Sequence, residues 1–188
     1  GDRVLMADPN YPCNRHFMAL AGAEIDTVPV GRDSGWQLTA PLIERHWQAK
    51  TRLAMLASPS NPTGHTLDAE ALTKVIDTVA AKGGDVIVDE IYQGLNYDDA
   101  PLSATSLSED AFVVNSFSKY FGMTGWRLGW LVAPEQAVEP LTRLAQNVFL
   151  AAPTPSQHAA LAAFTPECRD ILETRRATLK QRRQVLLD

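Results

Sequence analysis

The sequence is short of several things, and each shortage narrows what the chain can be. It has only two cysteines, Cys13 and Cys168, far apart among 188 residues. That excludes a disulfide framework and a cysteine-rich zinc module, and leads us to expect a reducing, cytoplasmic setting. Positive charge is in deficit, with a formal net charge of −5, so neither nucleic acid nor an anionic membrane is expected as a partner. No apolar run is long enough to span a bilayer, and no basic-then-apolar leader is present. The four histidines, His16, His46, His65 and His158, are scattered without ligand spacing and read as surface or helix residues. There is no internal repeat and no low-complexity tract.

What is present is ordinary for one globular domain with a sizeable core: 45% hydrophobic and 21% charged residues. Short apolar runs at residues 4–7, 25–30, 53–57, 86–89, 112–116 and 128–132 have the near-continuous character of strands covered on both faces. Helical patterns fall between and after them, at 14–21, 40–49, 68–82, 135–149, 155–164 and 166–188. The clearest is 68–82, with Thr66 or Asp68 to cap it, Leu72, Val75, Ile76 and Val79 as its apolar stripe, and Gly83-Gly84 to end it. This alternation predicts an α/β domain of three layers, α/β/α, with a mostly parallel sheet.

In such sheets ligands bind beyond the carboxyl ends of the strands, and polar residues collect there. Tyr11 follows the first strand, Asn61 the third, and Asp89 closes the fourth with Tyr92 three residues on. Ser116, Ser118 and Lys119 follow the fifth, and Arg127 stands eight residues past the lysine. A lysine in that position can act as a buried nucleophilic amine, and hydroxyls and a guanidinium beside it can hold a phosphate. A carbonyl cofactor carrying a phosphate satisfies both, and pyridoxal 5'-phosphate is such a group. Asp89 suits the pyridine nitrogen, because a nearby negative charge keeps it protonated. Asn61 and Tyr92 can donate to the phenolate oxygen. For Tyr11, stacking on the ring and plain packing both stand open, and Trp126 reads as a core aromatic. Asp89 and Glu90 are neighbours on a strand and point to opposite faces, so Glu90 is expected to make structural hydrogen bonds instead of working with Asp89.

Ser116-Phe117-Ser118-Lys119 also fits the Ser-x-x-Lys of serine β-lactamases, but their Ser-Asp-Asn and Lys-Thr-Gly companions do not occur. The motifs Ser58-Pro59-Ser60-Asn61-Pro62-Thr63-Gly64, Val88-Asp89-Glu90-Ile91-Tyr92, and Ser116-Phe117-Ser118-Lys119 with Met123-Thr124-Gly125-Trp126-Arg127 resemble, in order and internal spacing, those of class I/II aminotransferases. These are pyridoxal-phosphate enzymes of fold type I, in the aspartate aminotransferase superfamily. The resemblance implies that Lys119 holds the cofactor as a Schiff base and shuttles the substrate proton, and that Asp89 faces the ring nitrogen. It implies further that Tyr92 and Asn61 bond the phenolate oxygen, Ser116, Ser118 and Arg127 bind phosphate, and Tyr11 stacks. It also implies that the peptide bonds before Pro62 and Pro9 are cis.

By the same resemblance, residues 1–165 are the middle of a cofactor-binding large domain and 166–188 a connector helix toward a small domain. The family's first strand with its phosphate-binding glycine- and serine-containing loop is missing, as is the small-domain arginine that grips the substrate carboxylate. The chain therefore reads as a fragment of a dimeric enzyme, inactive alone, whose parent moves an amino group from an L-amino acid to a 2-oxo acid. The last strand is expected to run antiparallel and to form an exposed apolar edge. A C–S β-lyase or a cyclopropane-forming synthase of the same fold, and the aminotransferase-like sensor domain of a transcription regulator, share this cofactor shell and stay open.

Overall fold

The computed structural model describes residues 1–97 and 100–188. Six strands form one sheet in the order β2-β1-β3-β4-β5-β6. They are β1 (Arg3–Asp8), β2 (Glu24–Pro29), β3 (Thr51–Ala57), β4 (Asp85–Asp89), β5 (Phe112–Ser116) and β6 (Gly129–Val132). Neighbours from β2 to β5 are parallel, and the last pair is antiparallel. The helices are α1 (Pro12–Leu20), α2 (Ala40–His46), α3 (Ala69–Ala81), α4 (Glu135–Val148), α5 (Thr154–Ala162) and α6 (Pro166–Leu187). Each expected strand and helix is present, and α2 is three residues shorter than its pattern because Trp47 turns to an extended conformation (ψ 127°).

Two compact units divide the chain. The first contains Gly1–Glu90, Leu102–Val114 and Leu131–Pro134, and the second Ile91–Pro101, Asn115–Trp130 and Glu135–Asp188.

The first unit follows from the period-two geometry of its strands. Leu5, Ala54, Leu56, Val86, Val88 and Val113 point to one face and join Ile43 of α2 and Leu72, Val75, Ile76 and Val79 of α3. Val4, Met6, Met55 and Ile87 point to the other, where Met18 of α1 packs. Helices thus lie on both faces, which is why these strands are apolar at successive positions. At the amino end of α3, Asp68 Oδ1 accepts from the Ala71 N–H at 2.8 Å. Its four stripe residues are all buried, and each contributes about 1.5–3 kcal/mol of transfer free energy. Gly84 closes the helix where a side chain would collide with the Trp47 indole and stand 3.0 Å from the Arg52 carbonyl.

The second unit is built differently. Its apolar cluster is small, with Phe117, Ala160 and Ala163 buried and Phe121, Met123 and Leu128 packed around them. Rings dominate it: Phe117 lies 4.8 Å from Phe121, 5.2 Å from Trp130 and 5.9 Å from Phe164, centroid to centroid. The Ser156 hydroxyl of α5 donates to the Trp126 carbonyl at 2.6 Å. No residue of α4 is buried, and Leu172 is the buried position of α6. Trp126 departs from the expected core role: it is 47% exposed, carried on a 3₁₀ turn outside the ring cluster. β6 is an edge strand with Trp130, Leu131 and Val132 all exposed.

Candidate cofactor site

In the first unit the candidate residues sit on the loops that leave β1, β3 and β4. Asp89 ends β4, in register with Ala57 on one side and Val114 on the other. The Ser58 N–H donates to the Asp89 carbonyl at 3.1 Å, and this ties the start of the Asn61 loop to the end of β4. The Ser58 hydroxyl accepts from the Leu67 N–H at 3.0 Å and holds the far end of the same loop. Three X-Pro bonds in these loops are cis: Asp8-Pro9, Ser58-Pro59 and Asn61-Pro62. Two were expected, and the one before Pro59 was not.

Tyr11 and Asn61 line one small recess together with Asn10, Asn14, Gln37 and Ser60. Tyr11 is 42% exposed, so it is not a core aromatic. Pattern reading missed Asn10, Asn14 and Gln37. The Asn10 amide donates to the Ala7 carbonyl, and its Oδ1 is buried without a hydrogen-bond partner among the described residues. Gln37, also buried, donates to the carbonyls of His65 at 2.7 Å and Ala57 at 3.2 Å, and so closes the Asn61 loop from below. The only signal for Asn10 was its place between Pro9 and Tyr11; Gln37 gave none.

Glu90 has the structural role expected of it. It is buried, and Oε1 accepts from the Ala104 N–H at 2.7 Å. Burial pushes its carboxyl above the ordinary range, against the pull of that N–H.

In the second unit the candidates lie on two turns. Lys119 is exposed rather than buried, because the turn after β5 projects it outward, and its Nζ stands 5.5 Å from the centroid of the Tyr92 ring. Ser116 Oγ accepts from the Ser118 N–H at 3.0 Å, and this shapes the turn that presents the lysine. The Thr124 hydroxyl donates to the Ser118 carbonyl at 2.7 Å and brings the downstream turn back onto it. Arg127 adopts a left-handed conformation, φ 52°, uncommon for a residue with a side chain, and its Nη1 donates to the Thr124 carbonyl at 2.9 Å. Gly129 is pressed against β5: a Cβ there would stand 2.7 Å from the Asn115 carbonyl and 3.1 Å from Ser116 Cβ.

The donor chemistry of this unit fits a phosphorylated carbonyl compound. The Ser116 and Ser118 hydroxyls can each donate, and Arg127 keeps Nε and Nη2 for a forked contact. One amine stands beside them. The described residues contain no cluster of histidine, cysteine, aspartate or glutamate able to hold a metal ion. No described helix is long and apolar enough to cross a membrane.

A mostly parallel six-stranded sheet with helices on both faces and a lysine in the turn after its fifth strand is the scaffold of the aspartate aminotransferase fold. Residues 1–188 match the family of class I and II aminotransferases, and the chain belongs to that family, which is pyridoxal-phosphate-dependent. Among curated relatives, it is 40% identical to a valine–pyruvate aminotransferase of Mycobacterium tuberculosis over all of this chain and 49% of that protein. It is 32% identical to an aspartate aminotransferase of Sulfolobus acidocaldarius over 99% of this chain and 47% of that one. A crystal structure of an aminotransferase from Mycobacterium tuberculosis superposes with TM-score 0.94 at 40% identity, over all of this chain and 52% of that one. Aspartate aminotransferase from Thermus thermophilus with maleate gives 0.92 at 26% identity, over 100% and 50%. The chain therefore spans about half the length of the relatives it matches.

Proposed function

We propose that this chain is the cofactor-binding portion of an aminotransferase that moves an amino group from an L-amino acid to a 2-oxo acid. The observation that carries this reading is the Lys119 turn. Its amine lies 5.5 Å from the Tyr92 ring centroid, with the Ser116 and Ser118 hydroxyls and the Arg127 guanidinium on the flanking backbone. Bound pyridoxal phosphate supplies an electron sink for the substrate's α-carbon.

The chain's own residues do the rest. Lys119 is the amine that would hold the cofactor through its aldehyde carbon, and it would serve the substrate's α-proton as general base and acid. Asp89 favours the protonated ring nitrogen, and Asn61 and Tyr92 donate to the phenolate oxygen. Ser116, Ser118 and Arg127 hold the phosphate, and Tyr11 covers the ring face. Residues 1–165 are then the large domain and 166–188 a connector. The parent is a cytoplasmic homodimer. The relatives' names span valine–pyruvate and aspartate aminotransferases, so we assign the substrate only to the class of L-amino acids and 2-oxo acids.

The test is direct. Addition of pyridoxal phosphate to the chain is expected to give a visible absorption band that sodium borohydride fixes onto Lys119. Lys119→Ala is expected to abolish it. A band of equal strength in that variant sinks the assignment.

A further inference from the structure

A polar knot in the second unit lies beside the phosphate donors but shares no residue with them. Tyr120, the residue after Lys119, donates its hydroxyl hydrogen to Glu173 Oε1 of α6 at 2.6 Å, across 53 positions of sequence. The other carboxylate oxygen of Glu173 accepts from Arg176 Nε at 2.8 Å and Nη2 at 2.7 Å. Arg176 Nη1 then donates to the Asn96 carbonyl at 2.8 Å. Asn96 belongs to the turn that carries Tyr92. The same turn meets Tyr120 directly: Gly94, at φ +90°, lies so close that an added Cβ would be 2.9 Å from the ring.

Two turns are therefore fastened to one carboxylate. One presents the Lys119 amine and the other the Tyr92 ring over which that amine stands. An ordinary solvated helix face would offer the local Glu173–Arg176 pair and nothing more. Here both partners of that pair also reach residues outside the helix. The bonds are charge-assisted, the stronger kind. Tyr120's phenol is pushed up to about 12 by burial and by Glu173, with Arg176 and Arg169 opposing, and Glu173 is held below its ordinary range by Tyr120 and Arg176.

We propose that Glu173 is a positioning residue for Lys119: by holding Tyr120 with one oxygen and Arg176 with the other, it fixes the lysine amine over the Tyr92 ring. This rests on the reading of Lys119 as the reactive amine.

The experiment needs no turnover. Reductive ¹³C-methylation labels the five lysines, and the Lys119 resonance is the one missing from Lys119→Arg. Its expected signature is an upfield shift from the Tyr92 ring, lost in Tyr92→Leu. Glu173→Ala and Tyr120→Phe are both expected to move it to the position of a solvated lysine. Glu173→Gln, which keeps one acceptor oxygen and can hold Tyr120 or Arg176 but not both, is expected to retain part of the shift. Tyr120→Phe keeps the ring and its packing, and helical circular dichroism checks that each variant is folded. An unchanged Lys119 resonance in both Glu173→Ala and Tyr120→Phe, with a cofactor band that depends on Lys119, overturns the positioning role alone. A cofactor band that survives Lys119→Arg overturns the functional reading and takes the positioning role with it.

Discussion

The two units solve the same problem by different means. The first buries a continuous apolar core between strands and helices, with Leu5, Leu38, Ile43, Val79 and Val88 fully enclosed. The second has a small ring cluster, a helix with no buried residue, and many of its fixed contacts made by polar side chains reaching backbone carbonyls. Stability in the first therefore rests on many enclosed apolar side chains, each costly to truncate. Order in the second depends more on specific polar bonds, some of them made by Ser118 and Tyr120 on either side of Lys119. The Lys119 turn lies where polar substitutions are expected to be felt.

The largest expected effect tests the first half of that contrast. Ile43→Ala should lower stability to urea by about 2–5 kcal/mol, since its side chain is fully enclosed. A loss below about 1 kcal/mol in the same measurement, beneath the range typical of core truncations, would show the core to be looser than its burial suggests. Gly94→Ala sharpens the second half. A positive φ and the Tyr120 ring both oppose a Cβ there, so destabilisation of more than about 1 kcal/mol is expected, with weaker hydrogen-exchange protection around Tyr120. Asp68→Ala removes one helix cap from the first unit, and a loss of about 1 kcal/mol in thermal melting is expected. At the small end, Leu161→Ala, 69% exposed, should change stability by no more than about 0.5 kcal/mol.

The buried Glu90 and the half-buried Asp26 differ in the sign of their pH response. Glu90 has a raised folded pKa, so its contribution is complete below the unfolded value near 4.5 and declines as pH rises through the folded value. Asp26, bonded by Arg3 Nε at 2.6 Å, is lowered. Its contribution is present above the unfolded value near 3.8 and is lost as pH falls through the folded one. Urea midpoints across pH should separate the two: Glu90→Gln should flatten the decline above pH 4.5, and Asp26→Asn the decline toward acid.

Most of the fold was legible because its causes are local. The strands announced themselves as short apolar runs, and α3 as a stripe at helical spacing between Asp68 and Gly83. The candidate residues at strand ends could be named for the same reason, each lying within a few residues of an element boundary. What escaped depends on contacts across the chain. Nothing near Gln37 says that its amide will bridge Ala57 and His65, and nothing near Tyr120 points to Glu173. Trp126 was misjudged because ring size suggests burial, whereas its turn faces outward. Lys119 was expected to be enclosed, and its neighbours here leave it open.

The alternation that divides β4 between two faces has a further consequence. Val88 and Glu90 look toward the α3 side, where Glu90 meets the Ala104 N–H, and Ile87 and Asp89 look the other way. The strand behaves as a reading frame. Deleting one residue upstream in β4 would leave its composition nearly untouched, yet it would turn each of two adjacent acids to the opposite face. Glu90 would move to the station of Asp89 and lose the Ala104 N–H, and Asp89 would move to that of Val88, among the apolar side chains of the core. Frame, more than identity, decides which carboxylate turns to the core side and which turns away.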